Sequence, residues 1–159
     1  MAVEIERKFL VDGDGWRVAA DDGRRLRQAY LARTDALVVR VRIVDEVAAR
    51  MTIKSATAGM TRQEFEYPVP LADARELMAL ALGRVIEKRR YVVPAEPGRW
   101  EVDVFEGERA GLVIAEIELP DEKSDFVRPD WLGEEVTDDP RYYNAALAGL
   151  PGRDEGAGS

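Results

Sequence analysis

Pairs of like charges two residues apart mark this sequence. Glu4/Glu6, Glu64/Glu66 and Glu116/Glu118 are Glu-x-Glu pairs, and Arg40/Arg42 and Lys88/Arg90 are basic counterparts. Glu101/Asp103 adds an acidic pair; Lys8 follows Glu6, Arg62 precedes Glu64, and Arg50, Thr52 and Lys54 run in the same step. In an extended chain successive side chains point to opposite faces, so each pair shares a face at roughly 7 Å. Like charges held that close repel unless an opposite charge lies between them. Arg and Lys from several strands could clamp a polyanion, Arg by planar bidentate contact and Lys as a point charge. Carboxylates could hold the divalent cations that accompany such an anion.

What the chain lacks narrows the chemistry. Its 159 residues contain no His and no Cys. Disulfides, thiolate nucleophiles, Fe–S clusters, His-ligated metals and Ser-His-Asp catalysis are therefore excluded. Any metal sits among oxygens, which points to Mg²⁺, Mn²⁺ or Ca²⁺. Any catalysis uses carboxylates, Lys, Arg, Tyr or metal-bound water. The net charge of −8, from 23 basic and 31 acidic residues, disfavours broad contact with duplex DNA.

These side chains need elements to carry them. Period-two patterning predicts strands over 3–11, 25–33, 37–45, 48–55, 62–69, 85–93, 99–106 and 112–119. A helix over 71–82 carries Leu71, Ala74, Leu77, Met78, Ala81 and Leu82 on one face, with Gly83 as its stop. A second, over 140–149, starts with Asp139 as N-cap and Pro140 at its first position. A short helix is compatible with 14–20. The class is α+β with an antiparallel sheet, as one domain over 1–150 and a disordered tail over 151–159. Charges interrupt the N-terminus at once and no apolar stretch reaches the ~18 residues of a membrane span, so a cytoplasmic protein is expected.

Three readings of the charged face compete. One is an ordinary sheet with a solvated face. Another is salt bridging between neighbouring strands, which costs desolvation and is rarely built for stability alone. The third is a closed barrel whose charged lumen awaits a ligand. Repetition over seven strands favours the third. Apolar strand backs then face outward and need cover, for which the two helices, Trp100, Trp131, Tyr142 and Tyr143 are the candidates.

The order of motifs extends this reading. Glu4-Ile-Glu6-Arg-Lys8 is followed by Gln28-Ala-Tyr30-Leu31, Arg40-Val-Arg42, Thr52-Ile-Lys54, and Gly59-x-x-Arg62-x-Glu64-x-Glu66. Then come Glu87-Lys88-x-Arg90-Tyr91, Trp100-Glu101-Val-Asp103-Val-Phe105, Ala115-Glu116-Ile-Glu118, Trp131-Leu-Gly-Glu134-Glu135-Val-Thr137 and Asp139-Pro-Arg141-Tyr142-Tyr143-Asn144. This series resembles the CYTH superfamily, the triphosphate tunnel metalloenzymes, over residues 1 to about 150. The likeness is nearest to the short bacterial members that hydrolyse inorganic triphosphate. It implies an eight-stranded antiparallel closed β-barrel, a tunnel with a charged lumen and a few covering helices. It also implies a triphosphate substrate and Mg²⁺ or Mn²⁺. Thiamine triphosphatase and class IV adenylyl cyclase are alternatives within the family, and a non-catalytic polyphosphate- or nucleotide-binding module is another. No segment set apart for an adenine is visible.

On that resemblance Lys8, Arg40, Arg42, Lys54, Arg62, Lys88 and Arg90 are expected to bind the substrate. Glu4, Glu6, Glu116 and Glu118 are expected to hold metal. Glu4, Glu6, Lys8 and Lys88 are the expected catalytic groups. Glu64, Glu66 and Asp103 are either outer metal ligands or water-positioning groups, or salt-bridge partners of Arg62 and Arg90. Arg50 and Glu101 sit near a mouth or bridge to neighbours. Gln28 and Tyr30 either line the tunnel or pack. The expected partner is a small polyanion, with neither membrane nor extended nucleic acid, and homodimerisation is left open. Eight bases and eight acids fall on the proposed lumen. The remaining 15 bases and 23 acids lie elsewhere and account for the whole net charge.

Overall fold

Alternation of apolar and charged residues sets the architecture. The computed structural model describes residues 5–55 and 63–150. Its strands are β1 (Glu6–Val11), β2 (Arg24–Arg33), β3 (Leu37–Val44), β4 (Ala48–Ser55), β5 (Glu64–Val69), β6 (Leu82–Pro94), β7 (Arg99–Phe105), β8 (Val113–Glu118) and β9 (Leu132–Glu135). They form one sheet in the order β5-β4-β3-β2-β6-β7-β8-β1-β9, with every ladder antiparallel. The helices are α1 (Leu71–Met78) and the one-turn α2 (Asn144–Leu147).

All eight expected strands are present, and a ninth joins them. β9 pairs with β1 and lacks apolar alternation, since its sequence is Leu132-Gly-Glu-Glu135. Gly133 is required there, because a Cβ would lie 2.9 Å from the Leu10 carbonyl oxygen. Among the described residues no ladder joins the outer strands β5 and β9. Among the described residues the sheet is thus curved, nine-stranded and not strictly closed, while the expected α+β tunnel fold holds. Its curvature brings distant strands together: Arg42 on β3 interacts electrostatically with Asp103 and Glu101 on β7, three places along the strand order.

The helices also differ from expectation. α1 ends at Met78 and Leu82 already belongs to β6, so Gly83 lies within a strand rather than ending a helix. The segment 140–149 is broken: a 3₁₀ turn spans Pro140–Tyr142, and extended Tyr143 separates it from α2. Asp139 does cap that turn, accepting from the Arg141 backbone N–H at 3.1 Å. A 3₁₀ turn over Gly15–Ala19 buries Trp16.

Three apolar clusters hold the sheet. One lies behind β1, β6, β7 and β8, where Phe9, Trp16, Trp100, Val102, Ala115 and Ile117 are buried. Trp100 is its centre, edge-on to Phe9, Phe126 and Trp131 at ring separations of 5.7, 5.5 and 5.5 Å. A second lies behind β2, β3 and β4, where Ala74 and Met78 of α1 cover Ala29, Val41, Ile43 and Ala49. Both cover strand backs, as the inverted burial requires. The third is different. α2 packs Ala145, Leu147 and Ala148 against Tyr30, Ile86, Phe105 and Ile114, with Tyr142 beside them. By register these partners share the charged face: Ile86 pairs with Gln28 and Ile114 with Asp103. So α2 and Tyr142 plug one end of the inner face instead of covering the outside. Apolar inner residues at that end make this the favourable seat for a short apolar helix.

Candidate active site

β1 lies between β8 and β9, which places its charges against those of the eighth strand. Glu6 pairs in register with Glu118, and Lys8 with Glu116. Lys8 is fully buried, its Nζ 3.8 Å from Glu116 Oε1 and donating to the Tyr142 carbonyl oxygen at 3.0 Å. The side chains of Glu6 and Glu116 share a hydrogen bond. Burial pushes the Glu116 carboxyl up, but Lys8, the hydrogen bond with Glu6 and Arg90 outweigh it and hold the group below the usual carboxylate range. Glu118 is exposed, in a groove with Gly98, Arg99, Glu101 and Pro120.

β6 and β7 supply a tighter network. Asp103 is buried and gripped twice. Lys88 Nζ lies 2.7 Å from Oδ2, and Arg90 donates to Oδ1 at 2.7 Å and to Oδ2 at 2.9 Å. Arg90 also reaches Glu101 at 2.9 Å. Burial pushes Asp103 up, yet Arg90 and Lys88 hold it well below the usual range. Burial lowers Arg90 as well, but Asp103 and Glu101 raise it well above its ordinary value. Lys88 is pushed down to about 8 by burial, opposed by Asp103 and assisted by Arg90 and Arg42.

The other basic pair lies on β3. Arg42 donates from Nε and Nη2 to Gln28 Oε1, at 2.9 and 2.6 Å. Burial, then Arg40 and Arg90, push its guanidinium well below its ordinary value. Arg40 is lowered too, chiefly by burial, and donates to Thr52 Oγ1 at 3.4 Å. Beyond it, Lys54 Nζ is 3.9 Å from Glu64 Oε2, and Arg50 is 3.7 Å from Glu66. Glu64 and Glu66 thus face β4 cations from the edge strand β5.

The structure therefore brings Glu6, Lys8 and Glu116 together with Glu118 in register. It joins Lys88, Arg90, Glu101 and Asp103 in one network and sets Arg40 and Arg42 on the same inner face. Glu4 and Arg62 lie outside the described residues. Among the described residues no three acidic side chains converge as a metal cluster. Sequence reasoning did not assign the Tyr142 carbonyl, Thr52 or the α2 plug. It left Gln28 undecided, although Gln28 pairs in register with Arg42. The two-residue step from Leu26 to Gln28 to Tyr30, opposite Arg42, is the signal that places Gln28 on the charged face.

A CYTH-domain family profile matches residues 2–143. The chain belongs to the CYTH domain family. Within this family it is similar to the inorganic triphosphatase of Acetivibrio thermocellus, 45% identical over 95% of this chain and 96% of that one. The inorganic triphosphatase of Nitrosomonas europaea is 40% identical over 91% of this chain and 96% of its own. Among solved structures, that of the inorganic triphosphatase NE1496 superposes with a TM-score of 0.68 at 37% identity. It covers 96% of this CYTH chain and 99% of the other.

Proposed function

We propose that this protein hydrolyses inorganic triphosphate to pyrophosphate and phosphate with a divalent metal, Mg²⁺ or Mn²⁺. The observation that carries this is the inner face itself. Arg40 and Lys88 are buried, Arg42 and Arg90 half-buried, all close enough to perturb one another, and Arg42 has a neutral hydrogen-bond partner. Such a cluster is costly unless a polyanion fills it. Triphosphate is compact, densely charged and without a base or sugar to recognise, so a cationic clamp suffices. The inorganic triphosphatase relatives, matched over nearly their whole length, support the same reading.

The acidic end suits a hard cation. The side chains of Glu6 and Glu116 are hydrogen-bonded, and Glu118 pairs in register with Glu6. A divalent ion held by these carboxylates would offset their gathered negative charge, with Glu4 on β1's N-terminal side in sequence as a further donor. When bound, the ion neutralises phosphate charge and acidifies water in its shell. The chain's own residues do the rest. Arg42 and Arg90 orient the phosphates. Lys88 and Lys8 offset charge on the phosphoryl oxygens as the terminal P–O bond breaks. Water forms the new P–O bond, its proton passing to a Glu6 or Glu116 carboxylate, and pyrophosphate leaves.

A panel of tripolyphosphate, ATP and thiamine triphosphate under matched Mg²⁺ and Mn²⁺ tests the assignment. Tripolyphosphate is expected to be hydrolysed with the highest kcat/KM. Production of cyclic AMP and pyrophosphate from ATP would instead select the cyclase reading, and tight binding without turnover a binding module.

A further inference from the structure

Gln28 is 1% exposed and sits on β2 between the two basic strands. It pairs in register with Arg42 of β3 on one side and Ile86 of β6 on the other, while Leu26, two residues before it, pairs with Lys88. Its amide orientation is fixed by chemistry. A guanidinium has only donors, so the two bonds from Arg42 must end on the carbonyl oxygen. That leaves Nε2 buried, with no hydrogen-bond partner among the described residues. A buried donor left unmade is costly, so a stable fold keeps one chiefly where a ligand completes it.

The partner's neutrality is equally informative. Lys8, Arg50, Lys54, Lys88 and Arg90 all have carboxylate neighbours on this face. Arg42 has an amide. A Glu at position 28 would be nearly isosteric and would bind the guanidinium more strongly, but would cancel its charge. We propose that Gln28 is a positioning residue for triphosphate binding: it fixes the Arg42 guanidinium without neutralising it and offers its own amide N–H to a phosphate oxygen. This rests on the triphosphatase reading given above.

The test compares Q28E with Q28L for KM and kcat on tripolyphosphate, and for Tm without ligand. Q28E keeps shape and acceptor but cancels the charge of Arg42, whereas Q28L loses the hydrogen bonds but leaves that charge. KM is expected to rise more in Q28E than in Q28L, by at least about tenfold over wild type. The unliganded Tm of Q28E is expected to equal or exceed that of wild type, because a buried cation gains a counter-charge. A merely structural role predicts the reverse order, with Q28E close to wild type and Q28L impaired in both readouts. That result would overturn the proposal. Should Q28E fail to fold, Q28M serves: a raised KM at unchanged Tm supports the role, and a KM within about twofold of wild type overturns it. Absence of hydrolysis by wild type would count against the enzyme reading instead, and the Tm comparison would still stand.

Discussion

Lys88 is the side chain whose chemistry burial changes most usefully. Its ammonium is pushed down to about 8, from an ordinary 10.5, because desolvation outweighs the pull of Asp103. Between those values the unfolded chain binds the proton and the folded protein does not, so unliganded stability gains from this group as pH rises from about 8 to 10.5. Substrate affinity moves oppositely, since triphosphate needs the charged form. KM for tripolyphosphate is expected to climb above pH 8, and Lys88→Arg to move that limb to higher pH; a flat KM from pH 7 to 10 would contradict this role. Arg42 and Glu116 are the residues proposed for substrate and metal respectively, and their variants separate the two roles. Arg42→Ala removes charged hydrogen bonds worth about 1.5–3 kcal/mol, so KM should rise about 10–100-fold with an unchanged metal requirement. Glu116→Ala should instead raise the metal concentration for half-maximal activity, and equal effects of both on metal dependence would contradict the division. The placement of these charges on one face was legible in the sequence because charge repeated at period two is conspicuous. The part proposed for Gln28 was not, because a neutral side chain adds nothing to a charge pattern, and Asp103 was ambiguous because a carboxylate serves a cation or a metal alike.

The elements that hold these groups differ in how plainly the sequence announces them. The eight charged strands follow from alternation, and α1 from its apolar face, though Ala79–Leu80 turns the chain before the full stretch becomes helical. β9 and α2 were obscured for a common reason: both are short and take their stability from what they meet. β9 is held by pairing with β1 and by an Arg7–Glu135 ion pair at 2.6 Å. α2 is held by the inner apolar cluster, by Arg109 donating to the Leu147 and Ala146 carbonyl oxygens, and by the bond from the Arg84 N–H to the Ala148 oxygen. Gly83 permits that last contact, with φ at 69° and room for no Cβ, which would lie 2.3 Å from the Ala148 oxygen. Gly83→Ala is therefore expected to cost about 1–3 kcal/mol, seen as a Tm lower by about 2–10 °C. Because the Tyr142 carbonyl receives Lys8 just before α2, activity should fall with it; unchanged Tm and kcat would show that the plug tolerates displacement. On the opposite face Trp100→Ala should cost about 3–5 kcal/mol by chemical denaturation, since three aromatic neighbours lose their shared partner.

At the scale of the molecule, charge and curvature explain each other. An inner face lined by Lys8, Arg40, Arg42, Lys88 and Arg90 coexists with a net charge of −8 because acids dominate elsewhere. The sheet gathers these cations on its inner face, and one end of that face is plugged by α2. The overall plan was legible because a charged sheet face backed by apolar residues has few stable solutions. The lack of a ladder between β5 and β9 among the described residues was not, since pairing of the outer strands depends on curvature that no local pattern encodes. Among the described residues no helix is long and apolar enough to cross a membrane. The inner-face cations and the Glu6–Glu116 end are proposed to act together on a triphosphate. This is tested most directly by phosphate release from tripolyphosphate by wild type and Lys8→Ala, each with added Mg²⁺ or Mn²⁺ and with excess chelator. Rapid release by wild type with metal, loss on chelation, and at least about a hundredfold loss in Lys8→Ala are expected. Release that persists in chelator, or that Lys8→Ala leaves intact, would contradict that joint action.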